Sequence, residues 1–157
     1  MSVRERESGT RAAFDLACRW LGRARRSEAE VRGRLQQIGF GDPTVEKALD
    51  RLRELHFVDD YELAQTRAQA LAVRGYANAW IQHDLQQRGL PEEAVEEALS
   101  ILAPEIDRAR KWVERCSGDR GRKAAWRSLL RRGFGPEDAE RALRAAGGGA
   151  DEKGLAD

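Results

Sequence analysis

Leu35-Gln36-Gln37-Ile38-Gly39-Phe40 occurs three times in the chain in slightly different form. The second copy reads Leu85-Gln86-Gln87-Arg88-Gly89-Leu90 and the third Leu129-Leu130-Arg131-Arg132-Gly133-Phe134, so that the glycines lie 50 and 44 residues apart. Self-similarity at a period of this size indicates an array of short structural repeats.

An apolar pattern follows each glycine without a gap. Its spacing of i, i+3, i+4 and i+7 predicts a helix with one buried stripe. The glycine before it suits the left-handed residue that ends a preceding helix, and a proline near the next first turn costs no hydrogen bond. The three stripes are Val45, Ala48, Leu49 and Leu52, then Val95, Ala98, Leu99 and Leu102, then Ala139, Ala142, Leu143 and Ala146.

A further helical stretch precedes each of these helix pairs. We predict these stretches at about 14–25, 61–73 and 105–115. A unit of about 45 residues is marginal alone, and stacking of neighbours completes its core. The sequence therefore predicts an all-α fold of three tandem three-helix repeats in an elongated, curved array. The repeats would cover 14–60, 61–104 and 105–146, between a flexible N-terminus (1–13) and a flexible tail (147–157).

Local signals also predict helix starts. Ser27 and Glu30 have the spacing of a capping box, in which each side chain satisfies an end amide of the other residue. Asp59 and Glu62 have nearly the same pattern, so we assign Asp59 to helix capping and Asp60 to a favourable place at the positive end of the helix dipole. Gly39, Gly89 and Gly133 are assigned to structure.

Composition limits the class of protein. No apolar run approaches the ~20 residues that a membrane helix needs, and no apolar segment follows the charged N-terminus as in a signal peptide. Cys18 and Cys116 are the only cysteines. Two such distant cysteines are typical of free thiols and not of a disulfide framework. We expect a cytoplasmic monomer that does not bind to membranes.

The sequence offers little catalytic chemistry. His56 and His83 are each isolated from a second histidine or a cysteine at metal-ligand spacing, and no nucleotide-binding or nucleophile motif is present. We predict that the chain is not an enzyme and has no catalytic residues, no metal and no cofactor.

Charge differs between the predicted repeats. Residues 14–60 carry nine basic and nine acidic side chains, 61–104 carry three and six, and 105–146 carry twelve and seven. The stretch 108–132 alone has ten basic residues against two acidic ones. A basic surface of this kind attracts phosphate or an acidic protein, although arginine-rich helix faces are often merely solvated.

The candidate contact residues come from these basic stretches. We predict electrostatic contacts to a partner from Arg25, Arg26, Arg32, Arg122, Lys123, Arg127 and Arg131. Among the tryptophans, Trp20 and Trp112 lie on apolar stripes and are expected in the core. Trp80 and Trp126 fit the stripes less well and are either core residues or exposed anchors.

These residues together resemble the RecX family. The resemblance rests on Arg26-Ser27-x-x-Glu30-Val31-x-x-x-Leu35 with Gly39-Phe40, on Phe57-Val58-Asp59-Asp60-Tyr61-x-x-Ala64, and on Arg74-Gly75-Tyr76 followed by Ile81-x-x-x-Leu85-x-x-x-Gly89-Leu90. It covers roughly residues 14–146. The chain departs from the family pattern at His56, where glycine is common, at Leu63, where an aromatic residue is common, and at Trp80, where a basic residue is frequent.

The resemblance implies a partner and an activity. Members of the family modulate the RecA recombinase by lodging in the groove of the RecA–DNA filament, which alters ATP hydrolysis, strand exchange and coprotease activity, usually by inhibition. Single- and double-stranded DNA are further candidate partners. The alternative is a helical DNA-binding module that acts without RecA.

Overall fold

Nine α-helices and no β-strand make up residues 3–116 and 121–147, the part of the chain that the computed structural model describes. In chain order they are α1 (Val3–Leu21), α2 (Glu28–Ile38), α3 (Asp42–Glu54), α4 (Asp60–Val73), α5 (Asn78–Gln87), α6 (Glu92–Ser100), α7 (Glu105–Cys116), α8 (Arg122–Arg131) and α9 (Pro136–Gly147). They form three successive sets of three. The predicted all-α class and the helical repeats are confirmed.

The repeated glycines end the second helix of each set. Gly39, Gly89 and Gly133 have φ values of 108°, 68° and 89°, a region that L side chains avoid. The helix that follows each glycine buries most of the predicted stripe: all four positions in α3, Val95 and Ala98 in α6, and the first three positions in α9. Leu99 is only partly buried, and Leu102 lies beyond the end of α6. The sequence prediction of helix, glycine turn and helix is therefore correct in all three sets.

The first helix begins much earlier than predicted. We expected it at about 14–25 after a flexible segment, whereas α1 runs from Val3 to Leu21. Ala13 and Ala17 are fully buried in the core that α1 shares with α3, so the contact surface extends upstream of Phe14. The flexible N-terminus predicted for 1–13 is thus corrected for residues 3–13, which are helical.

The chain divides into two compact units. Unit 1 comprises Met1–Gln65 and Leu85–Val95, and unit 2 comprises Thr66–Asp84 and Glu96–Asp157. The core of unit 1 includes Leu35 and Leu49, and that of unit 2 includes Leu129 and Leu143. Residues of α4, α5 and α6 occur in both units. The repeat boundaries that we placed at 60/61 and 104/105 remain predictions.

The predicted caps are present. The Ser27 hydroxyl accepts from the Glu30 amide at 3.0 Å while the Glu30 carboxylate accepts from the Ser27 amide at 2.9 Å, which is a complete capping box. The Asp59 carboxylate accepts from the Glu62 amide at 2.9 Å at the start of α4. The flexible tail predicted at 147–157 lies outside the described residues except for Gly147, which ends α9.

Candidate partner-binding surface

One face of α8 carries a row of exposed positive charge. Lys123, Arg127 and Arg131 follow one another every fourth residue and are all exposed. Residues at this spacing share a helix face and are about 6 Å apart along the axis. Ala125 and Leu129, on the opposite side of α8, are buried in unit 2. The packing of α8 therefore directs these three cations to solvent.

These cations have no ion-pair partner among the described residues. Neither they nor the exposed Arg122 form an ion pair within residues 3–116 and 121–147, and α8 itself contains no acidic residue. Arg122 and Lys123 also lie in the first helical turn, where positive charge opposes the helix dipole. Folding gains nothing from this arrangement, whereas the raised positive potential suits an anionic partner.

Trp126 lies beside this row. It is partly buried and lines a shallow cavity of about 390 Å³ together with Arg122, Lys123, Glu140 and Leu143. An indole ring between two cations can stack on a flat group such as a base or a peptide plane. Trp126 packs partly buried against the core of unit 2 and also lines the cavity, so it matches neither alternative, core residue or exposed anchor, in full.

Much of the remaining basic stretch is engaged inside unit 2. Arg110 pairs with Glu114 at 2.8 Å, and Arg115 donates to the Val73 carbonyl oxygen at 2.8 Å. Arg132 donates to the Ser128 hydroxyl at 2.7 Å. The high local charge in the sequence thus overstates the charge that a partner can reach.

Arg108 is the clearest example. It is buried, and its guanidinium donates to the carbonyl oxygens of Ala103 at 2.9 Å and Tyr76 at 2.8 Å and to the side chain of Asn78. Burial lowers the pKa of Arg108, and the nearby Glu105 carboxylate acts in the opposite direction. These bonds satisfy backbone carbonyl groups in the turns that precede α5 and α7, so the role of Arg108 is structural.

The basic cluster of the first helix set is also largely paired. Arg32 donates to both carboxylate oxygens of Glu46, at 2.6 and 3.3 Å, and lies 4.0 Å from Glu28. Arg53 pairs with Glu28 at 2.7 Å and with Asp50 at 2.5 Å. The hydrogen bond to Glu46 raises the pKa of Arg32, and that to Glu28 raises the pKa of Arg53. Arg32 therefore joins α2 to α3, and a partner would have to displace an acidic neighbour to reach it.

The neighbours of the remaining arginines in this cluster, Arg25, Arg26 and Arg34, differ from one residue to the next. Arg25 is exposed and pairs with Glu62 at 2.8 Å. Arg26 is half-buried, and its Nε is buried with no hydrogen-bond acceptor among the described residues. The Arg34 guanidinium lies 4.5 Å from the centre of the Trp20 ring. The structure does not assemble Arg25, Arg26 and Arg32 into one free cationic surface, and their role in binding remains a prediction.

The other three tryptophans pack within the two units. Trp20 and Trp112 are buried, as predicted. Trp80 stacks on Tyr76 with ring centres 4.2 Å apart, and a Cβ placed on Gly133 would lie 3.0 Å from that of Trp80. Trp80 therefore supports a turn in unit 2 and is not a freely projecting anchor.

The two histidines and Cys18 have surroundings of their own. His56 and His83 are both exposed, and within the described ranges no three residues of His, Cys, Asp or Glu are grouped as metal ligands. Burial raises the pKa of the Cys18 thiol, which makes it less reactive. No helix in these ranges is long and apolar enough to cross a membrane.

Two long-range capping contacts were not predicted from the sequence. The Asp60 carboxylate accepts from the Glu28 amide at 3.0 Å and so caps α2 in addition to beginning α4. The Glu105 carboxylate accepts from the Asn78 amide at 2.9 Å at the start of α5. These pairs are 32 and 27 residues apart, and no local pattern indicates them.

Family models and relatives agree with this architecture. Residues 13–52 match the model of the first three-helix domain of RecX, and residues 59–99 match that of the second. Among similar proteins, "Regulatory protein RecX" of Prosthecochloris aestuarii is 32% identical over 143 residues, covering 87% of this chain and 95% of that protein. The protein of the same name from Syntrophotalea carbinolica is 31% identical and covers 78% and 88%.

Solved structures show the same fold. The crystal structure of RecX from Lactobacillus salivarius superposes with a TM-score of 0.72 at 17% identity, over 89% of this chain and 97% of that one. A second crystal structure of regulatory protein RecX gives a TM-score of 0.67 at 20% identity, with coverage of 87% and 72%. The matches extend beyond the two domains recognised by the family models.

Proposed function

We propose that this chain, which belongs to the RecX family of regulatory proteins, modulates the RecA recombinase by binding in the groove of the RecA–DNA filament. The observation that carries the proposal is its similarity to proteins named regulatory protein RecX, which extends over 87% of the chain in one relative. The expected effect is inhibition of ATP hydrolysis, strand exchange and coprotease activity. The proposal places the chain in the cytoplasm with its partner.

The row of cations on α8 supplies the electrostatic part of the proposed contact. Arg122, Lys123, Arg127 and Arg131 are exposed and lack ion-pair partners in the described ranges. A nucleoprotein filament presents phosphate and acidic side chains, both of which such a row attracts. Arg25, Arg26 and Arg32 are secondary candidates because their guanidinium groups are paired or partly buried.

A second candidate function is a DNA-binding module that acts without RecA. The same α8 row favours it, because unpaired cations one helical turn apart can each meet a phosphate. If all four cations contact phosphates of single-stranded DNA, the affinity should fall roughly 50-fold when the salt concentration is raised from 50 to 200 mM. Fluorescence anisotropy with labelled DNA separates the candidates: tight binding to free DNA with this salt slope supports the module, and weak binding beside tight filament binding supports RecA regulation.

Co-sedimentation tests the main proposal. RecA is assembled on single-stranded DNA with a non-hydrolysable ATP analogue and centrifuged with the purified chain. We expect the chain in the filament pellet, and in the supernatant when RecA or DNA is omitted. If it stays in the supernatant at saturating filament, the proposed filament binding is wrong.

A further inference from the structure

A cavity of about 340 Å³ opens within unit 2, between the C-terminal end of α4, the connection from α6 to α7, and α7 itself. Its apolar wall is formed by Ala72, Val73 and Ala103. Val73 is the last residue of α4, and its side chain is 56% exposed. The volume is that of a small binding site, which combines apolar walls with a few polar groups. None of the α8 cations lines this cavity.

One face of α7 supplies the polar side of the cavity. Arg108, Lys111 and Arg115 follow one another at intervals of three and four residues, so they share a helix face, and all three line the cavity. Glu114 lines it as well, but its carboxylate is paired with Arg110 at 2.8 Å. The charge that remains at the cavity is therefore positive.

Hydrogen bonds hold two of the guanidinium groups at the cavity wall. Arg115 donates to the Val73 carbonyl oxygen at 2.8 Å, and Arg108 donates to the Ala103 carbonyl oxygen at 2.9 Å. A carbonyl oxygen is neutral, so these bonds position the guanidinium groups without cancelling their charge. Arg108 is buried and adds only to the positive potential, whereas Arg115 is exposed and has further N–H donors for a partner.

Lys111 lies between these two arginines along α7. It is exposed and forms no ion pair with the described residues. Lys111 and Arg115 are four residues apart, a spacing at which like charges destabilise a helix. Folding gains nothing from this pair of cations, whereas an anion that contacts both of them removes the repulsion.

We propose that this cavity binds a segment of a partner protein in which acidic residues flank an aliphatic side chain. A carboxylate lies against Lys111 and Arg115, and the aliphatic side chain packs on Val73 and Ala103. Nucleic acid fits less well, because no aromatic side chain among the described residues lines the cavity and a base has nothing to stack on. This inference goes beyond the proposed function, and its test does not use RecA.

A matched pair of capped peptides tests the proposal. Acetyl-Glu-Leu-Glu-amide and acetyl-Gln-Leu-Gln-amide have nearly the same shape and differ in their carboxylates. Each is titrated into the ¹⁵N-labelled chain at low salt, where exposed charges are screened least, and the backbone amides are followed by NMR. A thymidine hexanucleotide is titrated in the same way.

We expect the glutamate peptide to shift the amides of Val73, Ala103 and Lys111. It should bind about ten-fold or more tightly than the glutamine peptide, because its carboxylates form charge-assisted hydrogen bonds. Equal affinities of the two peptides, shifts confined to other parts of the chain, or no shift up to the solubility limit would overturn the proposal. It would also be overturned if the hexanucleotide moved the same amides at a lower concentration than the glutamate peptide.

Substitutions of exposed side chains then assign the contacts. Lys111→Gln should weaken the glutamate peptide alone, whereas Lys123→Gln, which removes the same charge from α8 outside the cavity, should change neither peptide. Val73→Ala should weaken both peptides, and Ile101→Ala, which shortens an equally exposed side chain of unit 2 that does not line the cavity, should weaken neither. A Lys111→Gln chain that keeps the full preference for the glutamate peptide would contradict the proposed carboxylate contact.

Discussion

Gly75 lies directly against the indole ring of Trp112. A Cβ on Gly75 would be 2.2 Å from Cδ1 and 2.6 Å from Cγ of that ring, and the glycine has a φ of 80°. Trp112 has little room to move, because it is 7% exposed and the Arg132 guanidinium lies 4.2 Å from the ring centre. Both backbone conformation and packing therefore require glycine at the end of α4.

Replacing Gly75 by alanine should destabilise unit 2 strongly. The left-handed conformation costs an L residue about 1–2 kcal/mol, and overpacking adds about 1–3 kcal/mol. Gly39→Ala is the matched control: Gly39 has a φ of 108°, but no atom lies within 4 Å of its added Cβ. Urea unfolding should show a loss of about 3 kcal/mol for Gly75→Ala and about 1 kcal/mol for Gly39→Ala. Equal losses would mean that Trp112 adapts without cost.

Ser27 is expected to contribute more than an ordinary helix cap. It is fully buried, and besides completing the capping box it donates to the Arg88 carbonyl oxygen, 61 residues away. Ser27→Ala should therefore cost about 2–3 kcal/mol, the sum of a lost cap and an orphaned carbonyl. Ser100→Ala, which removes an exposed hydroxyl bonded within its own helix, should cost less than about 0.5 kcal/mol in the same unfolding measurement.

His56 occupies a backbone conformation that suits glycine. Its φ of 55° is the one positive value among the non-glycine residues described. Because His56 is exposed, His56→Gly removes the left-handed strain and loses little packing. We expect a gain of about 0.5–1 kcal/mol in the free energy of unfolding, after allowing for the greater freedom of glycine in the unfolded chain. A loss of stability would show that the imidazole makes a favourable contact.

A carboxylate in an ion pair stabilises the fold less as the pH falls. The contribution of Asp60 to stability should instead fall as the pH rises. Burial raises the pKa of Asp60 above its ordinary value, although the Glu28 amide partly offsets this by donating to it. The folded chain therefore binds a proton to Asp60 more readily than the unfolded chain, and its contribution to stability falls as pH rises through the folded-state pKa.

Asp60→Asn tests this sign. The amide keeps an oxygen for the Glu28 amide and carries no charge to desolvate. We expect the variant to be at least as stable as the original chain at about pH 7, with an advantage that shrinks toward about pH 4 as the carboxyl becomes protonated. Urea midpoints at the two pH values measure it, and a variant that is less stable at neutral pH would show that the charge itself is favourable. Asp60→Ala should be destabilised at both.

Local patterns in the sequence predicted much of the fold. The glycine turns at Gly39, Gly89 and Gly133, the Ser27 capping box and the Asp59 cap each depend on residues within one helical turn, so a short window contains the signal. Long-range polar partners were different. Arg108 donates to the Tyr76 carbonyl oxygen and Asp60 accepts from the Glu28 amide, each 32 residues away, and Arg32 pairs with Glu46 14 residues away. A helical pattern cannot show which arginine is buried and which is free. The candidate binding surface is consequently one face of α8 and not the whole basic stretch 108–132.

Charge reversals should separate binding from folding. Arg32→Glu breaks the bonds to Glu46 and brings a third carboxylate beside Glu28, so it should lower stability. Lys123→Glu with Arg127→Glu changes two solvated side chains and should leave the unfolding midpoint nearly unchanged while filament binding weakens. Thermal unfolding followed by circular dichroism, together with co-sedimentation, gives both quantities. A large loss of stability in the double variant would mean that these side chains support the fold.

The most direct test of the proposed function is a measurement of ATP hydrolysis by RecA on single-stranded DNA. The rate is measured as the concentration of this chain is raised. We predict that the original chain lowers the rate and that the Lys123→Glu, Arg127→Glu variant requires a higher concentration for the same effect. The Arg19→Glu, Lys47→Glu variant, with the same change of charge at exposed positions in unit 1, should act like the original chain. An unchanged rate at excess of the original chain would contradict the account.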